Sequence, residues 1–227
     1  METEGPILNR IPFFDERSKR PEFRARNLIG ATARYRRIWT PRYEPLDQGR
    51  EGACVGFACA GELAATPIKH IVSNESALLL YRKAQEVDRK AGRWYSEGAT
   101  VLAGMQGCRE NGLFGKYVWN FGIDDTIDWI VRKGPVILGI NWYYDMYSPS
   151  KNGLISVGGG IAGGHAILAN GYWPLHPEFG DVLVLTNSWG KDWGVNGRGF
   201  LRIADADRLL REDGESVAPT DLPQKVG

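Results

Sequence analysis

Cysteine is scarce in this chain: three residues in 227, an odd number. An odd count leaves at least one thiol free or paired with another chain, so the sequence does not read as a disulfide framework, and a reducing compartment is expected. Histidine is equally scarce, limited to His70, His165 and His176. No apolar run approaches the ~18 residues that a membrane span needs; the longest pieces are short, such as Leu78-Leu79-Leu80 and Val136-Ile137-Leu138. The first residues show no basic stretch followed by an apolar core, so no signal peptide is expected. The expected setting is cytoplasmic or virion-associated, without a membrane. A net charge of +1 argues against nucleic acid as the main ligand. With 43% hydrophobic and 24% charged residues, disorder, collagen and a coiled coil are excluded as the main architecture.

Charge is unevenly spread. Residues 10–42 hold ten Lys and Arg against Asp15, Glu16 and Glu22, a net +7 that leaves the remainder at −6. Such an arm suits docking on an acidic surface, on nucleic acid or on the chain's own body. The plainer expectation is a solvated, irregular arm, because aromatics and prolines interrupt it without periodicity. It remains a candidate segment for contacting a protein partner. Glycine, by contrast, is abundant, at 29 residues.

Four helices are predicted: about Cys54 to Thr66, ended by Pro67; Glu75 to Val87, capped by Ser73 or Asn74; Ala99 to Glu110, stopped at Asn111-Gly112; and one after Asp124, stopped at Gly134-Pro135. The pattern then changes. Val136, Leu138, Ile140 and Trp142 alternate as in a strand, and Ala166–Trp173, Val182–Thr186 and Gly199–Ile203 are further strands. Helices first and strands second predict an α+β fold. The expected division is an extended basic arm (1–46), a helical lobe (47–122), a β lobe (123–204) and a polar tail (205–227) that is loosely held or docked on a partner.

Three segments carry candidate chemistry. Cys54 opens the first helix, where the positive end of the helix dipole favours the thiolate, the nucleophilic form; alone it reads as a small core residue. His165 follows Gly163-Gly164 at a strand entrance; alone it is a structural histidine, and with a helix-terminal cysteine it becomes a candidate general base. His70 and His176 have weaker claims, beside a helix break and in a surface turn. Asn187, in Thr186-Asn187-Ser188-Trp189-Gly190, is able to orient an imidazole without adding charge, and a tryptophan two residues on shields such a contact. The plain reading of Asn187 and Trp189 is a turn with core packing. No metal or cofactor is called for.

Together these segments resemble the papain family of cysteine peptidases: Asp47-Gln48-Gly49-x-x-Gly52-x-Cys54-x-x-Phe57, then Gly164-His165-Ala166-x-x-x-x-Gly171-Tyr172, then Asn187-Ser188-Trp189-Gly190-x-x-Trp193-Gly194-x-x-Gly197. The order Cys, His, Asn is the family's. The resemblance implies a two-lobe fold with a cleft, an N-terminal helical lobe and a C-terminal, antiparallel β-barrel-like lobe. It implies Cys54 as nucleophile, His165 as base and then acid, and Asn187 as its orienter. Gln48 and the Cys54 N–H would hold the oxyanion, and Trp189 and Trp193 would support the triad. Gly98 and Gly164 would meet the substrate backbone. The implied activity is hydrolysis of peptide bonds in polypeptides through an acyl-enzyme. The alternatives are a catalytically idle papain-like domain that binds or builds a larger assembly, and another acyl-transfer enzyme such as an amidase or transglutaminase.

The chain also departs from the pattern. Glu51 and Val55 stand where the family usually has a cysteine and a tryptophan. Cys59 and Cys108 read as buried thiols. The arm looks too short and too rich in proline for the helical inhibitory segment of the family's zymogens, so a phage or prokaryotic type without one is expected.

Overall fold

The 3.6-residue patterns of the first half become helices that bury a common core. In the computed structural model, which describes residues 6–13, 15, 24–25, 34–41 and 44–220, these are α1 (Cys54–Ala64), α2 (Asn74–Lys90) and α3 (Val101–Glu110). Every residue of α1 is buried, which explains its small, Ala- and Cys-rich face and lack of strong amphipathicity. Ser73 caps α2 through a reciprocal pair with Ser76: each backbone N–H donates to the other's hydroxyl. Cys59 and Cys108 both lie buried in this core, with their thiols in contact.

The second half forms an antiparallel sheet. Its strands are β4 (Tyr117–Asn120), β5 (Val136–Tyr143), β6 (Ile161–His176), β7 (Gly180–Thr186), β8 (Arg198–Arg202) and β9 (Glu215–Pro219). They lie in the order β4-β9-β5-β6-β7-β8, and β2 (Arg37–Ile38) pairs with β6 off this path. The period-2 alternation of β5 sends Val136, Leu138, Ile140 and Trp142 to one face, where α4 (Ile123–Arg132) and α5 (Ile203–Arg211) pack. Ile137, Ala166 and Val217 face the other way, into the helical core. The sheet therefore joins two cores, and the two-lobe α+β architecture follows.

Two expectations need correction. The sheet is open, not barrel-like: β4 and β8 lie at opposite ends, and β4 buries Trp119 in the helical core. The polar tail is also not loose. Up to Pro219 it forms α5, which buries Ala206 and Leu209, and β9, which is buried between β4 and β5. Residues 221–227 lie outside the described residues.

The arm, where it is described, is partly exposed yet docked on the body. Arg34 pairs with Asp124 and Asp128 at 2.6 and 3.2 Å. Arg36 stacks over Trp173, and Arg24 lies over Phe121. Trp39 donates its indole N–H to the Ile130 carbonyl at 2.6 Å. The complementary charges of arm and body thus meet within one chain. Arg17, Lys19, Arg20, Arg26 and Arg42 lie outside the described residues.

A buried carboxylate fixes the wall that leads from α2 to α3. Asp88 accepts from the Thr100 N–H and hydroxyl, each at 2.9 Å, and from Arg93 Nε at 2.7 Å. It thereby holds β3 (Ala99–Thr100) at the head of α3. Replacing Asp88 by Ala leaves buried donors unsatisfied, and a loss of about 3 kcal/mol is expected. Urea unfolding tests this: the midpoint should fall with the slope unchanged, and an unchanged midpoint would contradict the assignment.

Candidate active site

Cys54 is the first residue of α1, so the loop before it decides where the thiol sits. That loop is tied to the segment carrying Asn187. The Gln48 N–H donates to the Ser188 carbonyl at 2.8 Å, the Gly190 N–H donates to the Leu46 carbonyl at 3.0 Å, and Asp47 bridges Trp189. Asp47 also accepts from the Gly49 N–H at 2.9 Å, which sets the turn. The helical core and the sheet are stitched together at this point, within two residues of Gln48 and three of Asn187.

His165 sits on β6 opposite Ile140 of β5, fully buried. Its Nε2 lies 2.8 Å from Asn187 Oδ1. The same oxygen accepts the Ser188 N–H at 2.8 Å. An acceptor held in this way needs a donor from the ring, so the proton belongs on Nε2, and Nδ1 carries the lone pair. Nδ1 is buried with no hydrogen-bond partner. The ring is boxed in by aromatics: Trp142 meets it edge-on at 4.7 Å and Trp189 at 4.8 Å. Trp189 in turn stacks on Tyr147 at 5.2 Å. Trp193 anchors the group by donating its N–H to the Met146 carbonyl at 3.3 Å.

Cys54 lies against the backbone of the residue after His165. The backbone N–H groups of Ala166, Asn9 and Val55 lie by its sulfur and favour the thiolate. One of these donors, Asn9, belongs to the arm. Residues 7–11 run through the space between the helical core and the sheet. β1 (Arg10–Ile11) pairs in parallel with β3, and the Ala99 N–H donates to the Asn9 carbonyl at 3.3 Å. Gln48 Nε2 donates to the Ile7 carbonyl at 3.1 Å, and its orientation is fixed because Gln48 Oε1 accepts the Ser188 hydroxyl at 2.6 Å.

Glycine is required where this strand passes. Gly98 has φ +85°, and a Cβ there would strike the Asn9 carbonyl; a Cβ at Gly164 would strike the Arg10 carbonyl. Gly98's own N–H donates to the Tyr81 hydroxyl at 2.9 Å, and its carbonyl accepts from Gln85. Ala99 makes the main-chain bond to the arm strand, and Gly98 supplies the clearance.

The arm changes the electrostatics. A helix N-terminus favours a thiolate, yet here burial pushes the Cys54 thiol up, against the pull of the surrounding N–H groups and of Arg10. Burial also lowers His165 to about 4, with the Asn187 contact opposing it. Burial thus works against the charged form of each group.

Among the described residues, no three His, Cys, Asp or Glu side chains group as metal ligands. His70 and His176 lie away from the cleft; His176 stacks on Phe179 at 4.6 Å. Four residues of the site were not expected from the sequence: Trp142, Tyr147, Arg10 and Glu215. Trp142 was legible as an inward strand position, and the others gave no local signal.

Comparison with known proteins follows this geometry. Residues 114–211 match the family described as papain family cysteine protease, a span that contains His165 and Asn187 and leaves out Cys54. Cysteine proteinase RD21A of Arabidopsis thaliana is 27% identical over 189 residues, covering 71% of this chain and 39% of that protein. The chain thus spans about two fifths of that relative's length. In fold it is similar to xylellain, a cysteine protease from Xylella fastidiosa, with a TM-score of 0.66 at 18% identity over 94% of this chain and 96% of that one. It is also similar to digestive procathepsin L 3 of the Tenebrio molitor larval midgut, with a TM-score of 0.56 at 17% identity over 95% and 75% of the two chains.

The low value at His165 has a signed consequence. An unfolded imidazole takes up its proton near 6.5 and the folded one near 4. Between these values the unfolded chain holds a proton that the native state lacks, so this group's contribution to stability falls as pH falls through that window. An NMR titration should find the His165 ring neutral at pH 5. Half-protonation near 6.5 would contradict the closed geometry.

Proposed function

We propose that this chain, a divergent member of the papain-like cysteine peptidase family, is a thiol endopeptidase whose cleft is closed by its own N-terminal strand. The observation that carries the reading is the strand itself. An extended polypeptide main chain lies on Cys54, hydrogen-bonds β3 on one side, and presents a carbonyl to Gln48. The cleft is therefore built to hold peptide backbone, next to a thiol and an oriented imidazole.

When the strand leaves and water enters, the penalty of burial is removed. The proton then passes from Cys54 to His165 Nδ1, the ring nitrogen that Asn187 leaves free. The thiolate attacks the substrate carbonyl carbon. The oxygen takes up negative charge and is received by Gln48 Nε2 and the Cys54 N–H, in a site where such donors act strongly. The C–N bond breaks as His165 gives its proton to the leaving amine, which leaves a thioester on Cys54. Water, giving a proton to His165, attacks the thioester; the acid product departs and the thiol is restored. Asn187 keeps the ring in one orientation throughout, and Trp189 keeps water from the Asn187 contact. The division into a helical side carrying the nucleophile and a β side carrying His165 and Asn187 belongs to this proposal. Polypeptide is the proposed substrate.

Turnover of an unfolded protein substrate tests the reading. Arg10→Gln, which loosens the strand, should cleave faster than the wild type. In that background Cys54→Ala should abolish cleavage while leaving the melting temperature nearly unchanged, and Gln48→Ala should reduce it about a hundredfold. Cleavage that persists in Cys54→Ala would overturn the assignment.

A further inference from the structure

The His165 ring is held by one polar contact, Nε2 on Asn187 Oδ1 at 2.8 Å, and its Nδ1 has no partner among the described residues. A ring fixed at one atom is free to rock about that atom. A half-turn about its Cβ–Cγ bond would put carbon where Nδ1 stands. A general base needs its nitrogen in one place, so the plane of this ring must be set by packing.

Trp142 supplies that packing from the sheet. In the register of β5 and β6, Ile140 stands opposite His165 and Trp142 opposite Gly163. Residues two apart on a strand share a face, so Trp142 and His165 are diagonal neighbours on one face. Gly163 carries no side chain, which leaves the indole room to reach His165, with ring centroids 4.7 Å apart at 67°. The indole also meets Trp189 at 5.2 Å and 78°, while Trp189 lies 4.8 Å from the imidazole at 38°. The imidazole is thus enclosed by two indoles that also contact each other. They are mounted differently. Trp189 shares the segment of Asn187, whereas Trp142 stands on β5, which pairs with β6 from Val136 to Tyr143. Trp142 therefore ties the ring to the sheet that carries the His165 backbone.

Filling the core does not by itself call for an indole at this position. Trp142 is fully buried, yet its Nε1–H makes no hydrogen bond among the described residues. A buried indole ordinarily pairs that donor, and leaving it unpaired opposes folding. An aliphatic side chain would carry no such cost. What the indole adds is a broad, rigid, flat surface against the imidazole.

We propose that Trp142 is a positioning residue of the site: its indole fixes the plane of the His165 imidazole, so that Nε2 stays on Asn187 and Nδ1 stays available to the thiol. The catalytic consequence rests on the peptidase reading above; the fixed plane does not.

Two variants separate a flat surface from mere bulk. Trp142→Phe keeps an aromatic plane, and Trp142→Met fills the core flexibly without one. In the full chain, nitrogen-15 NMR reads the His165 tautomer. The wild type and Trp142→Phe should show one form, protonated at Nε2, and Trp142→Met a mixture. Cleavage of an unfolded protein is measured with each substitution placed in the Arg10→Gln chain, which lacks the 2.8 Å ion pair of Arg10 with Glu215. There Trp142→Met should lower kcat about a hundredfold, the cost of a reacting group misplaced by roughly 1 Å, with KM nearly unchanged. Trp142→Phe should recover most of that loss. A single Nε2 tautomer in Trp142→Met would overturn the proposal, as would a Trp142→Phe chain no better than Trp142→Met. Should Trp142→Met fail to fold, the wild-type ring decides: mixed tautomers overturn the proposal, and one tautomer with nuclear Overhauser contacts to the Trp142 indole supports it. Mixed tautomers in Trp142→Met with no cleavage by the Arg10→Gln chain would leave the role of Trp142 standing and refute the peptidase reading. Cleavage by the Arg10→Gln chain with one tautomer in every variant would do the reverse.

Discussion

The guanidinium of Arg10 on the carboxylate of Glu215 is the contact on which the closed cleft depends. It joins a buried side chain of the arm to β9, a strand paired on both sides. The arm's other contacts at the cleft are weak by comparison, among them a short parallel pairing with β3, one carbonyl on Gln48, the Asn9 amide on Glu97, and packing of Leu8 near Gly163. An ordinary hydrogen bond contributes about 1 kcal/mol net, whereas losing one partner of a buried ion pair costs about 3–5. Arg10 is therefore the side chain that decides whether the strand stays.

The same strand adds to the burial that acts on the ionisation of the site. Two effects compete at Cys54. The helix N-terminus stabilises a thiolate by about 0.3–1 kcal/mol, while burying an ion without a partner costs several. With the arm seated, burial works against the charged form of both the thiol and the imidazole. The proposed departure of the arm would admit solvent and weaken the larger effect. In the proposed reading, one segment thus governs access and chemical state together.

Much of this was legible in the sequence, and the reasons for the rest are physical. Helices α1 to α4 and strands β5 to β8 declare themselves through apolar periodicity and through Gly and Pro boundaries. Cys54, His165 and Asn187 are separated by 111 and 22 residues, and their convergence depends on motifs rather than local pattern. Strand β9 was not legible. Glu215-Ser216-Val217-Ala218-Pro219 is polar and ends in proline, and it is buried because β4 and β5 flank it and Arg10 neutralises it. The role of the arm was hidden for the same reason. An arginine among ten basic residues looks like a solvated charge until the fold brings a buried carboxylate to it from 205 positions away. Long-range charge pairs leave no periodic trace, and they are the part of a fold that a single sequence conceals best.

The central claim is that the Arg10-anchored strand shuts the cleft over Cys54. The most direct measurement is the rate at which a small alkylating reagent modifies Cys54 near pH 6, mapped by mass spectrometry in the wild type and in Arg10→Gln. The account predicts slow modification of Cys54 in the wild type and much faster modification in Arg10→Gln, with Cys59 and Cys108 protected in both. Equal rates at Cys54 in the two proteins would contradict it.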